Sequence, residues 1–357
     1  MKNESAPTIL WWGRSDPQYS RNQIILDLLA QLGWQIDFFH PLSSYFGKVQ
    51  AFLRPPEKPH AIWVPCFRQR DMHSALYWAR KWNCPLVFDP LISAYQKEVF
   101  EKKKWQATAK HAVRLLRWEA DLFRQADVVI ADTPLHARFF GDTFRLDPGK
   151  LCVVHVGADE RVFVPVDVDP VVPPVEVLFY GSFLSLQGPD VIVDAAMHMP
   201  DEKIQWVLLG DGDLRNDLEL KSSNISNIRF EPWISYQALP QRLAQAHILL
   251  GIFGTTPKAE MVIPNKVFQS MACGRPLITR YSEAYPQQIR DSDVIGWVPP
   301  GDARALAEQV RKMAAEPGEL VNIGRETRKL YEQHFSLHHI REELQQVLDK
   351  ILDRLTV

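Results

Sequence analysis

The feature that most constrains this chain is an alternation, repeated in both halves, between short apolar runs and longer segments with helical periodicity. In the first half the predicted strands lie at 7–13, 34–41, 61–67, 84–90, 126–133 and 150–159. In the second half they lie at 175–181, 204–212, 227–232, 247–254 and 275–280. Strands with so few polar positions are typical of parallel sheets, because helices cover both faces of such a sheet. The pattern therefore predicts an α/β protein.

A proline-rich stretch separates the two halves. Residues 162–177 carry four prolines, and proline resists both helix interiors and strand pairing. A length of 357 residues also suits two domains better than one. We predict a first domain at 1–160, a linker at 161–174, a second domain at 175–335 and a terminal helix at 336–357.

Composition and charge argue against several classes of function. The formal net charge is -2, so nothing in the overall charge indicates binding to nucleic acid. No apolar run reaches the roughly 18 to 20 residues that span a bilayer, and the N-terminal run is too short for a secretory signal. We therefore expect a cytoplasmic protein. None of the four cysteines has CxxC spacing, so they are predicted to be buried thiols rather than zinc ligands or disulfides.

Two strand ends of the first half offer candidate site residues. Gly13 allows a sharp turn after the first strand, and Arg14 or Arg21 could then contact a phosphate or an acceptor near a helix N-terminus. The alternative is a solvated turn in which the arginines pair with Asp16. Asp89 follows another buried strand, where it could act as a general base on an acceptor hydroxyl or hydrogen-bond a sugar. Alternatively, Asp89 only caps the next segment.

A basic segment with interleaved aromatic residues lies at 101–124, within a helix predicted at about 103–125. It could contact an anionic membrane surface or hold a charged acceptor. The alternative is the solvated face of an ordinary helix. His111 lies in this segment and is either a structural histidine or a base on the acceptor side.

The second half carries four loop features in order: a glycine loop at 180–188, a Gly-Asp-Gly turn at 208–213, a glycine loop at 251–258 and a helix at 264–274. A diphosphate needs donors from several loops, because its charge is spread over many oxygens. The candidate contacts are Gly13 and Arg14 from the first half, and Gly181, Ser182, Gly210, Gly212, Phe253, Gly254, Lys258, Asn265, Lys266 and Gln269 from the second. A lysine opposes the dipole at a helix N-terminus, which favours a functional role for Lys266.

The order of these motifs, together with ACGRPLIT at 272–279, resembles the donor-binding half of GT-B glycosyltransferases, most closely glycosyltransferase family four. Gly157 and Asp159 stand at the family's Gly-x-Asp position. The resemblance covers residues 150 to the end, and the first half only in architecture. It implies two Rossmann-like domains whose parallel sheets face each other across a cleft. It also implies a terminal helix that returns to the first domain, and a UDP-sugar or GDP-sugar donor, with no metal or further cofactor.

Several residues depart from the family pattern. Ser182 stands where the family usually has arginine, and Gln187 stands where it has lysine. The family's two glutamates fall at Met261 and Gln269, although Glu260 lies beside the first position. At both positions where relatives have a cation that holds the diphosphate, this chain therefore has a neutral residue.

The resemblance then implies the following roles. Lys258 and Lys266 replace the lost cations, Gln269 contacts the ribose, and Glu260 contacts the donor sugar. Asp89 and His111 lie on the acceptor side, where one of them becomes the base if the reaction inverts. We expect transfer with retention to a glycan, lipid or small-molecule acceptor. A nucleotide-sugar epimerase and a non-catalytic relative that binds sugar nucleotides stay open as alternatives.

Overall fold

The computed structural model describes residues 6–165, 172–200 and 203–355. The chain divides into two compact units, Met1–Val156 with Leu337–Val357, and Gly157–Ser336. The first unit thus ends four residues before the boundary predicted at 160. The predicted linker, 161–174, lies within the span of the second unit, and its residues 166–171 are outside the described residues.

A six-stranded parallel sheet forms the centre of the first unit, in the order β2-β1-β3-β4-β5-β6. Its strands are β1 (Thr8–Trp12), β2 (Gln35–Phe39), β3 (Ala61–Val64), β4 (Leu86–Phe88), β5 (Val128–Ala131) and β6 (Leu151–Val153). Successive side chains of β1 pack on opposite faces: Leu10 and Trp12 belong to one core, and Ile9 and Trp11 belong to the other. The sheet is apolar throughout because each face has its own core.

Helices cover both faces of this sheet. They are α1 (Ser20–Gln31), α2 (Gly47–Leu53), α3 (Met72–Trp82), α4 (Ala94–Gln96), α5 (Lys110–Gln125) and α6 (Pro134–Phe144). The helix predicted at 103–125 begins only at Lys110, because residues 102–109 form turns after a short π-helix at Lys97–Glu101. The sequence also signals the start of α6: Thr133 caps its N-terminus by accepting from the His136 N–H, and Pro134 occupies its first position.

The second unit has the same architecture, with strand order β12-β11-β10-β7-β8-β9. Its parallel strands are β7 (Val175–Ser182), β8 (Ile204–Asp211), β9 (Ile228–Glu231), β10 (Ile248–Leu250), β11 (Leu277–Arg280) and β12 (Gly296–Val298). The strand predicted at 247–254 therefore ends at Leu250, and residues 251–256 form a loop. The short strand β12 was not predicted.

The helices of the second unit lie between these strands and after them. They are α7 (Pro189–Met197), α8 (Arg215–Lys221), α9 (Leu239–Gln245), α10 (Pro257–Met261), α11 (Asn265–Ala272), α12 (Gln287–Arg290), α13 (Ala303–Ala314) and α14 (Leu320–His334). Asp302 caps α13 by accepting from the Ala305 N–H at 2.9 Å. The two parallel sheets confirm the predicted α/β class.

The last helix, α15 (Leu337–Leu355), packs in the first unit. Its buried stripe consists of Ile340, Leu344, Val347, Leu348 and Ile351, which join the core beside α1 and the sheet. Polar contacts fix its register, because Glu343 accepts from the backbone N–H of His155 at 2.8 Å and lies 2.6 Å from the imidazole. Leu355, near the end of the helix, is exposed.

Two further expectations concern buried and membrane-spanning residues. All four cysteines are buried free thiols, as predicted. Within the described ranges, none of the helices combines the length and apolar character needed to cross a bilayer.

Candidate functional site

Three loops meet at the carboxyl edge of the second sheet, and their glycines allow backbone to pack on backbone. A Cβ at Gly188 would lie 2.6 Å from the Gly254 nitrogen, and a Cβ at Gly254 would collide with the Ser185 carbonyl oxygen. A Cβ at Gly210 would likewise collide with the carbonyl oxygen of Gly181 in the neighbouring strand. These positions therefore require glycine even without a ligand.

The Gly-Asp-Gly turn shows the same requirement. Gly212 has φ +151°, and a Cβ there would lie 2.7 Å from the Phe183 nitrogen. The Phe253 N–H donates to the Gln187 carbonyl oxygen at 3.0 Å, which ties the loop after β10 to the loop after β7. Gly210 and Gly212 were predicted to let a ligand approach closely. In the structure, neighbouring backbone occupies that space.

Lys266, at the start of α11, is the charged centre of this edge. Its side chain is buried, with 6% of the residue exposed, and Nζ donates to Gln187 Oε1 at 2.5 Å. Nζ also lies 3.7 Å from the centroid of the Phe179 ring. Burial lowers the pKa of the Lys266 ammonium well below 10.5, and no carboxylate of the described residues forms an ion pair with it. Such a cation gains from any anion that reaches it.

The absence of a side chain at Gly181 makes room for this ammonium and for the Gln187 amide. A Cβ at Gly181 would lie 2.5 Å from Gln187 Oε1 and 2.9 Å from Lys266 Nζ, and φ at Gly181 is +144°. The Tyr180 hydroxyl donates to the Lys266 carbonyl oxygen at 3.0 Å and lies 3.1 Å from Gln269 Oε1. The structure thus brings Gly181 and Gln187 next to Lys266 and Gln269. The two pairs are at least 79 residues apart in the sequence.

The other residues that were predicted to contact the donor lie in the segments next to Lys266. Ser182 ends β7 and Asn265 begins α11, and both are partly exposed. Lys258 and Glu260 lie on α10, where Glu260 is exposed and Lys258 is partly buried. A joint contact of Lys258 and Lys266 with one diphosphate stays a prediction. Gln269 is buried with its amide oxygen toward Tyr180, which limits its reach toward a ribose.

Arg280 is a residue of this edge that the sequence reasoning missed. It ends β11, is buried, and donates from Nη1 to the Gly254 carbonyl oxygen at 2.8 Å. Burial lowers the pKa of Arg280, and the nearby Glu260 carboxylate opposes that effect. Arg280 therefore stabilises the 251–256 loop through this hydrogen bond. An arginine directly after the apolar run of β11 was the available signal.

In the first unit, Asp89 and Arg21 form a buried ion pair. Arg21 Nε lies 3.0 Å from Asp89 Oδ2, both side chains are 1% exposed, and Arg21 Nη1 donates to the Val154 carbonyl oxygen at 3.1 Å. Burial raises the pKa of the Asp89 carboxyl, which the Arg21 guanidinium opposes. This differs from the prediction, because Arg21 holds Asp89 rather than a phosphate, and Asp89 is enclosed rather than open to an acceptor hydroxyl.

A second buried pair follows β5. Asp132 Oδ1 lies 2.5 Å from His136 Nδ1, and His136 Nε2 lies 3.2 Å from Gln96 Oε1. Although burial opposes the shift, contact with His136 holds the pKa of Asp132 below its usual value. Sequence reasoning missed this pair. Its signal was an aspartate just after a buried strand and a histidine one helical turn later.

Of the other predicted residues of the first unit, Gly13 is buried, whereas Arg14 and His111 are exposed. Gly13 has φ +141°, and a Cβ there would lie 3.1 Å from Arg68 Cγ. Arg68 Nη1 donates to the carbonyl oxygen of the exposed Arg14 at 2.9 Å. His111 is exposed and stacks on Trp105, with ring centroids 5.7 Å apart. Its predicted role as a base stays a prediction.

Comparison with known families decides the affiliation. The family Glycosyl transferases group 1 matches residues 174–316, and the Glycosyl transferase 4-like domain matches residues 16–157. The chain belongs to the group 1 glycosyltransferases. The predicted resemblance is therefore confirmed, and it extends to the first half, where the sequence motifs alone indicated only architecture.

Solved structures confirm the GT-B fold. The crystal structure of Anabaena HepE in complex with UDP and glucose superposes with a TM-score of 0.71 at 14% identity, covering 96% of this chain and 99% of that one. Sucrose-phosphate synthase from Thermosynechococcus elongatus superposes with a TM-score of 0.71 at 16% identity, covering 98% of this chain and 99% of that one.

Curated relatives match over part of their length. A D-inositol 3-phosphate glycosyltransferase of Streptomyces bingchenggensis is 24% identical over 71% of this chain and 61% of its own length. The amylovoran biosynthesis glycosyltransferase AmsK of Erwinia amylovora is 23% identical over 57% of this chain and 51% of its own length. The chain therefore spans about half to three fifths of these relatives.

Proposed function

We propose that this chain transfers a sugar from a nucleoside-diphosphate sugar to an acceptor hydroxyl. The observation that carries the proposal is Lys266, a buried cation at the start of α11 that has no carboxylate partner among the described residues and lies beside the glycine at position 181. The diphosphate of the donor would occupy this seat. Crystals of HepE contained UDP and glucose, which makes UDP-glucose the first donor to test.

The neutral Gln187 fits this assignment. A lysine at position 187 would place a second ammonium next to Lys266 and raise the cost of burying both. With glutamine there, the amide oxygen holds Lys266 Nζ at 2.5 Å and the positive charge is concentrated on one residue. In this proposal a cation still faces the diphosphate, as in the family pattern. The residue that carries it is Lys266 instead of a residue at position 187.

The proposed chemistry uses this charge at the moment of transfer. The bond between the sugar C1 and the diphosphate oxygen breaks, the acceptor hydroxyl oxygen bonds to C1, and the hydroxyl proton passes to an oxygen of the departing diphosphate. Lys266 and the N–H groups at the start of α11 stabilise the negative charge that grows on the diphosphate. We propose retention at C1. We also propose that no metal is needed, because the buried Lys266 would supply positive charge at the diphosphate.

A donor panel tests the proposal. Purified protein is titrated calorimetrically with UDP and GDP, then incubated with UDP-sugars or GDP-sugars and candidate acceptors, and products are detected by mass spectrometry. We expect one nucleotide to bind, a glycosylated product to form, and product NMR to show the donor's anomeric configuration. Transfer should persist with EDTA. Donor binding without turnover would indicate a non-catalytic relative, and a changed sugar without acceptor would indicate an epimerase.

A further inference from the structure

Two adjoining cavities open in the first unit. Their volumes are about 490 and 590 Å³. The residues that line both are Ser44, Arg70, Leu115 and Trp118. We treat them as one cavity, which has room for a ligand of the size of a mono- or disaccharide.

The wall of this cavity is strongly basic. Its cationic side chains are Arg14, Lys48, Arg68, Arg70 and Lys104. A single carboxylate, Glu98, lines it, and this carboxylate lies 3.3 Å from Lys102 Nζ and 3.8 Å from Lys104 Nζ. The whole chain has a formal net charge of -2, so the excess of positive charge is local. Such a surface attracts anions.

Arg70 is the cation best placed to receive one. It lies on the wall common to both cavities, is exposed, and forms no ion pair with any described residue. Arg68, in contrast, already donates to the Arg14 carbonyl oxygen and lies 3.8 Å from Asp71. A guanidinium binds phosphate or carboxylate through two parallel hydrogen bonds.

Aromatic rings complete the wall. Trp105 and Trp118 line the cavity, and Trp118 Nε1 lies 3.3 Å from His73 Nε2. Flat aromatic faces suit the apolar face of a sugar ring, while the indole edge offers a polar contact. These are the residues of the basic segment 101–124 that were predicted to contact a membrane or a charged acceptor.

We propose that this cavity binds an anionic saccharide, a sugar that carries a phosphate or a carboxylate, as the acceptor. Arg70 pairs with the anionic group and the tryptophans cover the ring. The role of the bound sugar as an acceptor rests on the proposed function. The binding itself does not depend on Lys266, which lies in the other unit.

Calorimetric titration with glucose 6-phosphate, glucuronic acid and glucose tests this inference. We expect at least one anionic sugar to bind at millimolar concentration or below and glucose to bind at least tenfold more weakly. Arg70→Ala should weaken binding of the anionic sugar by about 10- to 150-fold, the loss of one charge-assisted hydrogen bond of about 1.5 to 3 kcal/mol. The matched control is Arg138→Ala, an exposed arginine on α6.

Several results would overturn the inference: equal binding of glucose and the anionic sugars, no binding of either anion, or unchanged affinity in Arg70→Ala. UDP affinity, measured on the same proteins, should be unaffected by Arg70→Ala. If UDP fails to bind while the anionic sugar does, the proposed function fails and the cavity assignment stands. The arms with phosphate and carboxylate show which anion the cavity prefers.

A second observation concerns the surface formed by residues 38–54, of which Ser44, Tyr45 and Lys48 also line the cavity. The large hydrophobic side chains exposed there are Phe38, Leu42, Tyr45, Phe46, Val49, Phe52 and Leu53. Leu42 is 85% exposed and Leu53 is 79% exposed. They lie at the end of β2, in the loop that follows it and on α2. A monomeric soluble protein rarely concentrates so much exposed apolar surface in one segment.

Lysine and arginine side chains lie on and beside this surface. Residues 38–56 contain no aspartate or glutamate, whereas Lys48 and Arg54 are both exposed. Lys81 from α3 lies 4.4 Å from the centroid of the Phe52 ring. Exposed aromatic and aliphatic side chains edged by cations are the combination that binds an anionic lipid surface. In the segment 101–124, by comparison, the two tryptophans line the cavity.

We infer that the 38–54 surface docks on an anionic membrane. Cosedimentation with vesicles of phosphatidylcholine, with and without phosphatidylglycerol, measures this. We expect binding only to the anionic vesicles, and weaker binding at high salt. The double variant Phe46→Ser with Leu53→Ser should lose most of it. The control, Leu220→Ser with Trp233→Ser, removes exposed apolar side chains from the second unit and should bind like wild type.

Two sedimentation results would contradict membrane docking. One is failure of the wild-type protein to sediment with anionic vesicles. The other is equal sedimentation of the Phe46→Ser/Leu53→Ser variant. Gel filtration of both proteins adds a further check. If wild type is a dimer and the variant a monomer, a second copy of the chain covers the surface and the membrane assignment is wrong. The altered side chains are exposed, so melting temperatures should match.

Discussion

Replacing Lys266 with methionine isolates the one side chain on which the donor assignment depends. Methionine retains an unbranched chain of similar length and removes the ammonium. In the structure this ammonium contacts Gln187 Oε1 and the Phe179 ring, with no carboxylate among the described residues as its partner. We expect Lys266→Met to weaken nucleotide binding and to leave the fold intact.

The loss of affinity follows from the contact removed. A hydrogen bond to a charged group contributes about 1.5 to 3 kcal/mol, so the dissociation constant for UDP or GDP should rise about 10- to 150-fold. Stability should change in the opposite direction. Where the lysine is protonated in both the folded and the unfolded state, each unit by which burial lowers its pKa reduces the free energy of unfolding by about 1.4 kcal/mol. Lys266→Met removes that cost, so the variant should melt at the same temperature or higher.

The pH dependence of stability has a defined sign. The pKa of Lys266 is lower in the folded protein than in the unfolded chain. Between those two values the unfolded state binds more protons, so wild-type stability should rise with pH toward 10.5. The stability of Lys266→Met should not rise in this way, and its advantage over wild type should vanish above pH 10.5. A bound diphosphate raises the pKa of Lys266 again, so nucleotide binding should take up protons and weaken at high pH.

Calorimetry in two buffers of different ionisation enthalpy measures both affinity and proton uptake. Lys312→Met, an exposed lysine on α13, is the matched control and should behave like wild type. Thermal melts over a pH series complete the set. Unchanged nucleotide affinity in Lys266→Met would refute the placement of the diphosphate at this seat. A lower melting temperature at neutral pH would instead show that Lys266 is structural.

Three further predictions concern packing. Gly254→Ala should destabilise the second unit by about 1 to 3 kcal/mol in chemical denaturation, because its Cβ meets a carbonyl oxygen, whereas Gly318→Ala, with nothing within 4 Å, should be neutral. Asp89→Asn should cost about 3 to 5 kcal/mol because it leaves the Arg21 charge buried without its partner, and a melting temperature equal to wild type would contradict the buried pair. Leu344→Ala on α15 should cost about 2 to 5 kcal/mol, and hydrogen exchange should then show loss of protection confined to the first unit.

The order of elements was largely available from the sequence, with particular exceptions. Apolar runs predicted every strand except β12, because Gly296–Val298 is too short for periodicity to register. The sequence predicts a helix over about 103–125, since charged residues are compatible with both helix and turn. The structure begins α5 at Lys110. Boundaries of strands were overestimated where an apolar run continues into a buried loop, as at 251–254.

The family and the positions of the glycine loops can be read from the sequence, because strand length, loop spacing and glycine content are local properties of the chain. The contacts of each polar side chain, in contrast, depend on how the chain packs. Arg21 reaches Asp89 rather than a ligand, Gln187 accepts from Lys266, and the glycines of the second unit make room for neighbouring backbone. Such partners are far apart in the chain, and burial, which sets their charge and reactivity, follows from packing rather than from any local pattern.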